Sequence, residues 1–202
     1  MTLEEMISAV QKKLGIQVDG KAGPQTWTAV YSAIVKPKAA PLEAADLVSE
    51  ADPASERRIA TLQPEVRPMA RALIQKAAAN GIRIRIISGL RTYAEQDALY
   101  AQGRTLPGKI VTNAKGGQSN HNFGIAFDIG VFEGSKYQGE SPKYKAVGVL
   151  GTELGLEWGG NWKTFADTPH YQLRPAWAAE LPEKEMLARL RDRVQAGEAI
   201  YA

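Results

Sequence analysis

Apolar residues recur along this chain at helical spacing in some stretches and at strand spacing in others, and the changes of period mark its elements. Leu3, Ile7, Val10 and Leu14 keep helical spacing up to a stop at Gly15. After the Asp19-Gly20 turn, Gly23-Pro24 opens a second stripe of Trp27, Val30, Tyr31 and Ile34, which predicts a helical hairpin. Lys36-Pro37-Lys38-Ala39-Ala40-Pro41 has no apolar period and reads as a linker, and 42–60 can be helical but carry no motif. Val66, Met69, Ala70, Leu73, Ile74 and Ala77 then form one helical stripe ended by Asn80-Gly81. Ile82-Arg83-Ile84-Arg85-Ile86 switches to strict alternation, a half-buried strand with its arginines towards solvent. Thr92-x-x-Glu95 is a capping box opening a helix with Leu99 and Tyr100 on its apolar face and Gly103 as its stop.

Residues 104–118 hold several glycines and few large apolar groups, and read as a flexible entrance that lines a cleft or simply connects. Ala126-Phe127-Asp128-Ile129 alternates again, with Phe127 and Ile129 towards a core and Asp128 on the opposite face. Pro169 biases Thr168 to an extended conformation, so His170-Tyr171-Gln172-Leu173 reads as a second strand with Tyr171 and Leu173 inward and His170 outward. Ser141-Pro142 starts a helix with Val147, Leu150 and Leu154 inward, and Leu181-Pro182 starts another with Met186, Leu187, Leu190 and Val194 as its stripe. The expected class is α+β: a small, mostly antiparallel sheet flanked by helices, plus the N-terminal helical hairpin. The expected divisions are 1–36, a linker at 37–50, a main domain at 51–180 and a C-terminal helix at 181–202.

Composition narrows the function. With 25 Lys plus Arg against 22 Asp plus Glu, the net charge of +3 gives no reason to expect a nucleic-acid groove. No apolar run approaches the ~20 residues of a membrane span, and Met1-Thr2-Leu3-Glu4-Glu5 lacks the basic start of a secretory signal, so no membrane insertion and synthesis in the cytoplasm are expected. There are no cysteines and only two histidines. His121 has Asp128 seven residues on, and Gly124 lets the chain turn between them; His170 follows at a distance. Two imidazoles and a carboxylate leave one position open on a zinc ion, the ligand count of a catalytic site rather than a structural one. Manganese or cobalt also suits that set. A hydrolase of this kind needs a protein base, and Asp167, three residues before His170, competes with Glu157 for the role. Trp158 and Trp162 frame the approach to His170, either as core packing or as a wall of the cleft.

Ser119-x-His121-x-x-Gly124-x-Ala126-x-Asp128, followed by Trp158-Gly159-Gly160-x-Trp162-x-x-Phe165-x-Asp167-x-Pro169-His170, resembles the paired signature of the M15 zinc peptidases. The likeness runs upstream through Ser88-Gly89-Leu90-Arg91-Thr92 to Gln96 and spans roughly residues 55–175. It implies His121, Asp128 and His170 as zinc ligands and Asp167 as the base. It also implies Arg91 near the scissile bond, with Gln96, Ser119, Trp158 and Trp162 as substrate contacts. Aspartate at 167, where the D-alanyl-D-alanine branches carry glutamate, implies the L-alanyl-D-glutamate endopeptidase branch. The N-terminal string Val10-Gln11 to Ala29-Val30 is similar to small peptidoglycan-binding modules. Together these imply an endolysin-like monomer that acts on peptidoglycan with metal-activated water after release through a holin-type protein. The alternatives are a D-alanyl-D-alanine carboxypeptidase or dipeptidase, and a non-catalytic wall-binding or phage structural protein.

Overall fold

The structure, a computed structural model, describes residues 2–23, 26, 27, 29, 30 and 51–202. The chain divides into two compact units, 1–47 and 48–202. The expected linker, and Pro24, Tyr31 and Ile34 of the second N-terminal stripe, lie outside the described residues.

In the first unit, helix α1 (Leu3–Leu14) is opened by a reciprocal Thr2–Glu5 capping box and closed by Gly15 in the left-handed conformation. The expected apolar stripe is only partly covered: Ile7 and Leu14 are half-buried, whereas Leu3 and Val10 are exposed. The residue that α1 does bury is Gln11. Its Nε2 donates to Asp19 Oδ1 (2.6 Å), Lys21 O (3.0 Å) and Thr26 Oγ1 (2.9 Å), and its Oε1 accepts from the Asp19 and Gly20 amides. A unit this small has little apolar surface to bury, so a saturated amide takes over part of the organising role. Thr26, Trp27, Ala29 and Val30 are helical, with Trp27 exposed.

The second unit is built on an antiparallel sheet of β1 (Arg83–Ser88), β2 (Ala126–Glu133), β3 (Lys136–Gln138), β4 (Glu157–Trp158) and β5 (His170–Gln172), in the order β1-β2-β5-β4 with β3 also on β2. The alternation read in β2 holds: Phe127, Ile129 and Val131 are fully buried on one face. Phe127 pairs across the ladder with Tyr171 of β5, the rings stacked at 5.8 Å. Helices α3 (Val66–Ala79) and α5 (Lys143–Glu153) cover that face through Ala70, Leu73, Ala77, Tyr144 and Val147. Gly148 of α5 lies where an added Cβ would stand 2.4 Å from the Trp158 indole, so the helix can seat on that ring only without a side chain.

Helix α2 (Pro53–Ile59), in a stretch for which no role was expected, closes the outer edge of β1, with Ser55 Oγ accepting the Ile86 amide at 3.0 Å. Helix α4 (Tyr93–Ala101) departs from expectation. It carries the predicted Thr92 capping box, but Leu99 and Tyr100 are only half-buried and Gln96 is its one buried residue. Helix α6 (Glu183–Ala196) packs Met186, Leu187 and Leu190 against Phe123, Ile125 and Ala178, so it belongs to the same unit as the sheet. Val194, expected in that stripe, is exposed because the helix ends beyond the surface it covers.

Asp52 fastens α2 to the sheet edge. It caps Ala54 and Ser55, accepts from Ser55 Oγ at 2.6 Å and faces Arg85 at 3.9 Å. Burial opposes its ionisation, but the bonds from Ser55 and the Arg85 charge outweigh this and hold the carboxyl below its ordinary 3.8. A depressed folded pKa lends stability above the unfolded pKa and loses it as pH falls through the folded one. Asp52→Ala is therefore expected to cost about 1–2 kcal/mol near neutral pH. The gap to the parent protein should close on acidification, as read from urea unfolding over a pH series.

Candidate functional site

The face of the sheet opposite the core carries the site. Asp128 and His170 are direct cross-strand partners of β2 and β5, so the ladder sets their side chains next to each other. His121 arrives from a single 3₁₀ turn, Asn120–Phe123, which Gly124 ends at φ 68°. That turn is tied to the segment after β1: the Arg91 amide donates to His121 O (3.0 Å), and Asn122 Nδ2 donates to Arg91 O (2.8 Å). Asn122 Oδ1 also accepts the Gly117 and Ser119 amides, which holds the end of the 104–118 loop. Arg104 pins the rest of that loop through Thr112 O and Asn113 Oδ1.

His121 Nε2, Asp128 Oδ1 and His170 Nδ1 form a triangle: 3.2 Å between the two imidazole nitrogens, and 3.2 and 3.3 Å from each to the carboxylate. Tetrahedral zinc, with bonds near 2.0–2.1 Å, spaces its donors about 3.3 Å apart, so the residues present fit such an ion. The far nitrogen of each ring is engaged as a metal-ligating histidine requires, Nδ1 of His121 on Gly89 O (2.8 Å) and Nε2 of His170 on Gln172 Oε1 (3.0 Å). Burial opposes the charge on Asp128, yet protonated imidazoles at His121 and His170 outweigh it and hold the carboxyl far below the usual carboxylate range.

The triangle opens into a cleft of about 1020 Å³ that Arg91, Ser119, Trp162 and Asp167 also line. Arg91 is held by Nη1 to Gln96 Oε1 (2.7 Å) and Nη2 to Ser88 Oγ (3.1 Å), and its Nη2 lies 3.6 Å from Asp128 Oδ2. The Asp167-Thr168-Pro169-His170 turn is bonded to Gly159 through the Asp167 amide. Burial raises the Asp167 carboxyl, and the nearby Asp128 charge raises it further. The Trp162 ring stands 4.9 Å from that of His170.

Two expected substrate contacts sit elsewhere. Gln96 is fully buried, and its amide is used up by Arg91, Ala114 O and Thr112 Oγ1, so it positions the arginine and the loop rather than facing the cleft. Trp158 packs on the core side and donates to Thr168 O (2.9 Å), which makes it a support for the turn before His170. Glu157, the rival base, is salt-bridged to Arg174 at 2.5 Å and accepts from Gln172 at 2.6 Å. Asn120, Asn122, Gln172 and Arg174 were not anticipated. For Gln172 the signal was present, since two residues along a strand return to the same face as His170.

Comparison with known proteins identifies the family. An M15 peptidase profile described as D-alanyl-D-alanine carboxypeptidase matches residues 112–173, and one described as a peptidoglycan binding domain matches residues 2–30. The peptidoglycan L-alanyl-D-glutamate endopeptidase CwlK of Bacillus subtilis (strain 168) is 42% identical over 126 residues, which are 56% of this chain and 74% of that protein. The L-alanyl-D-glutamate peptidase of Listeria phage A118 is 30% identical over 114 residues, 55% of this chain and 37% of that one. Among solved structures, the Serratia marcescens L-Ala D-Glu endopeptidase ChiX aligns over 60% of this chain and 86% of its own, with a TM-score of 0.46 and 26% identity. The chain belongs to the M15 metallopeptidases, the family of these L-alanyl-D-glutamate endopeptidase relatives.

Proposed function

We propose that the chain hydrolyses the bond between L-Ala and D-Glu in peptidoglycan stem peptides, with zinc held by His121, Asp128 and His170. The observation that carries this reading is the triangle of donors at tetrahedral spacing in a cleft. When bound, zinc supplies a Lewis acid and lowers the pKa of water to about 7. Asp167 takes the water's proton and returns it to the leaving amine. Arg91, immobilised by Gln96 and Ser88, holds the carbonyl oxygen or a substrate carboxylate in a forked pair. Ser119 and Trp162 contact the substrate along the cleft wall.

The profile match over residues 2–30 supports wall binding by the N-terminal unit. Among the described residues no helix is long and apolar enough to cross a membrane. In this reading the protein works as an endolysin-like monomer that reaches the wall once a holin-type protein has opened the membrane.

Mass spectrometry of digested peptidoglycan tests the bond. New D-Glu amino termini that disappear with a chelator are expected. Loss of terminal D-Ala alone would instead assign a carboxypeptidase, and no new ends despite bound zinc would leave a wall-binding protein. Asp167→Asn is expected to lower cleavage by about 10²–10⁴-fold while zinc content stays at the parent level; unchanged turnover would remove Asp167 from the chemistry. Gln96→Leu strands the Arg91 guanidinium and the Ala114 carbonyl, and is expected to cost about 1–3 kcal/mol in chemical unfolding together with a raised KM.

A further inference from the structure

Beneath His170 runs a chain of hydrogen bonds whose direction is dictated from its far end. Arg174 donates Nε to Glu157 Oε1 (2.5 Å) and Nη2 to Glu183 Oε2 (2.7 Å), so both carboxylates are salt-bridged and offer only lone pairs. Glu157 Oε2 lies 2.6 Å from one end of the Gln172 amide, which must therefore be its NH₂. The other end, Oε1, then faces His170 Nε2 at 3.0 Å and Asn120 Nδ2 at 2.6 Å. Asn120 is constrained in the same sense, because its Nδ2 also meets Glu183 Oε1 at 2.5 Å. Its Oδ1 is left buried without a partner among the described residues, and the amide keeps this orientation despite that cost.

An acceptor at Gln172 Oε1 requires a proton on His170 Nε2, so the neutral ring has its lone pair on Nδ1, the atom 3.2 Å from His121 Nε2 and 3.3 Å from Asp128 Oδ1. We infer that Gln172, oriented by Glu157 and Arg174, is a positioning residue that selects the Nε2–H tautomer of His170 and so presents Nδ1 to the metal. The two histidines thus reach one point through different atoms and different supports. His121 leans on a backbone carbonyl, which no substitution removes. His170 leans on a side-chain relay anchored by β4, β5 and the first turn of α6. Glu157, which sequence spacing offers as a base, is committed to this relay.

The inference rests on the proposed zinc site, and its test separates the two. In the full-length protein, long-range ¹H–¹⁵N spectra at mildly alkaline pH report which imidazole nitrogen of His170 carries the proton, with zinc loaded and after chelation. Competition with a chromophoric chelator reports zinc affinity. The parent is expected to keep the Nε2 proton in both states. Gln172→Leu should give mixed tautomers and lower zinc affinity by about 10–100-fold.

The decisive variant exchanges the two ends of the contact. Gln172→Glu with Glu157→Gln keeps an acceptor facing His170 and an NH₂ facing residue 172, so tautomer and affinity should return to within a few-fold of the parent. A merely structural role would move the melting temperature without moving the tautomer. The inference is overturned if Gln172→Leu keeps the parent tautomer and affinity, or if the folded exchange variant fails to restore them. A parent protein that binds no zinc would sink the metal reading alone, since the tautomer still decides the inference.

Discussion

The register between β2 and β5 is the constraint on which the rest depends. It sets Asp128 opposite His170 on one face and Phe127 opposite Tyr171 on the other. Side-chain direction alternates along a strand, so slipping either strand by one residue would send its own candidate ligand into the core and its own aromatic ring into the cleft. The stacked Phe127–Tyr171 pair, fully buried under α3 and α5, therefore holds Asp128 and His170 together. Core and site are two sides of one ladder.

Around that ladder the site is assembled from polar groups with little freedom left. Arg91 is fixed by Gln96 and Ser88, and His121 is gripped by the Gly89 carbonyl below its ring and the Arg91 amide on its backbone. Buried polar groups are costly unless satisfied, so each bond made in folding removes a penalty while restricting a rotamer. The result is a set of donors at metal-binding separation with their outward atoms already chosen. A constellation held this way needs little rearrangement to accept an ion or a substrate.

The two ends of the chain solve different problems. Among its described residues the N-terminal unit buries only Gln11 and Thr26, and it closes around Gln11, whose amide joins α1 to the Asp19–Lys21 turn and Thr26. The C-terminal helix α6 has an apolar stripe and buries it on Phe123 and Ile125, the two residues that flank Gly124. In doing so it carries Glu183 to Arg174 and Asn120, so a tail that reads as packing also supports His170.

Local pattern was enough for much of this. Alternation in Ile82–Ile86 and Phe127–Ile129, the Thr92–Glu95 box and the stripe of α3 each express a period or a cap that needs no distant partner, and each is found as read. The scarcity of histidine, with an aspartate in step, narrowed the candidate metal ligands to His121, Asp128 and His170 before any fold was known. What sequence left open were the choices made by long-range contacts. Leu99 and Val194 keep the right spacing for burial, but no surface arrives to cover them fully; Gln96 and Gln11 are polar yet buried, because distant donors and acceptors converge on them. That Glu157 is held by Arg174, seventeen residues away, was fixed only once β4 lies against β5. Periodicity is written along the chain, whereas the partner of a buried polar group is decided by which strands meet, and that is a property of the folded sheet alone.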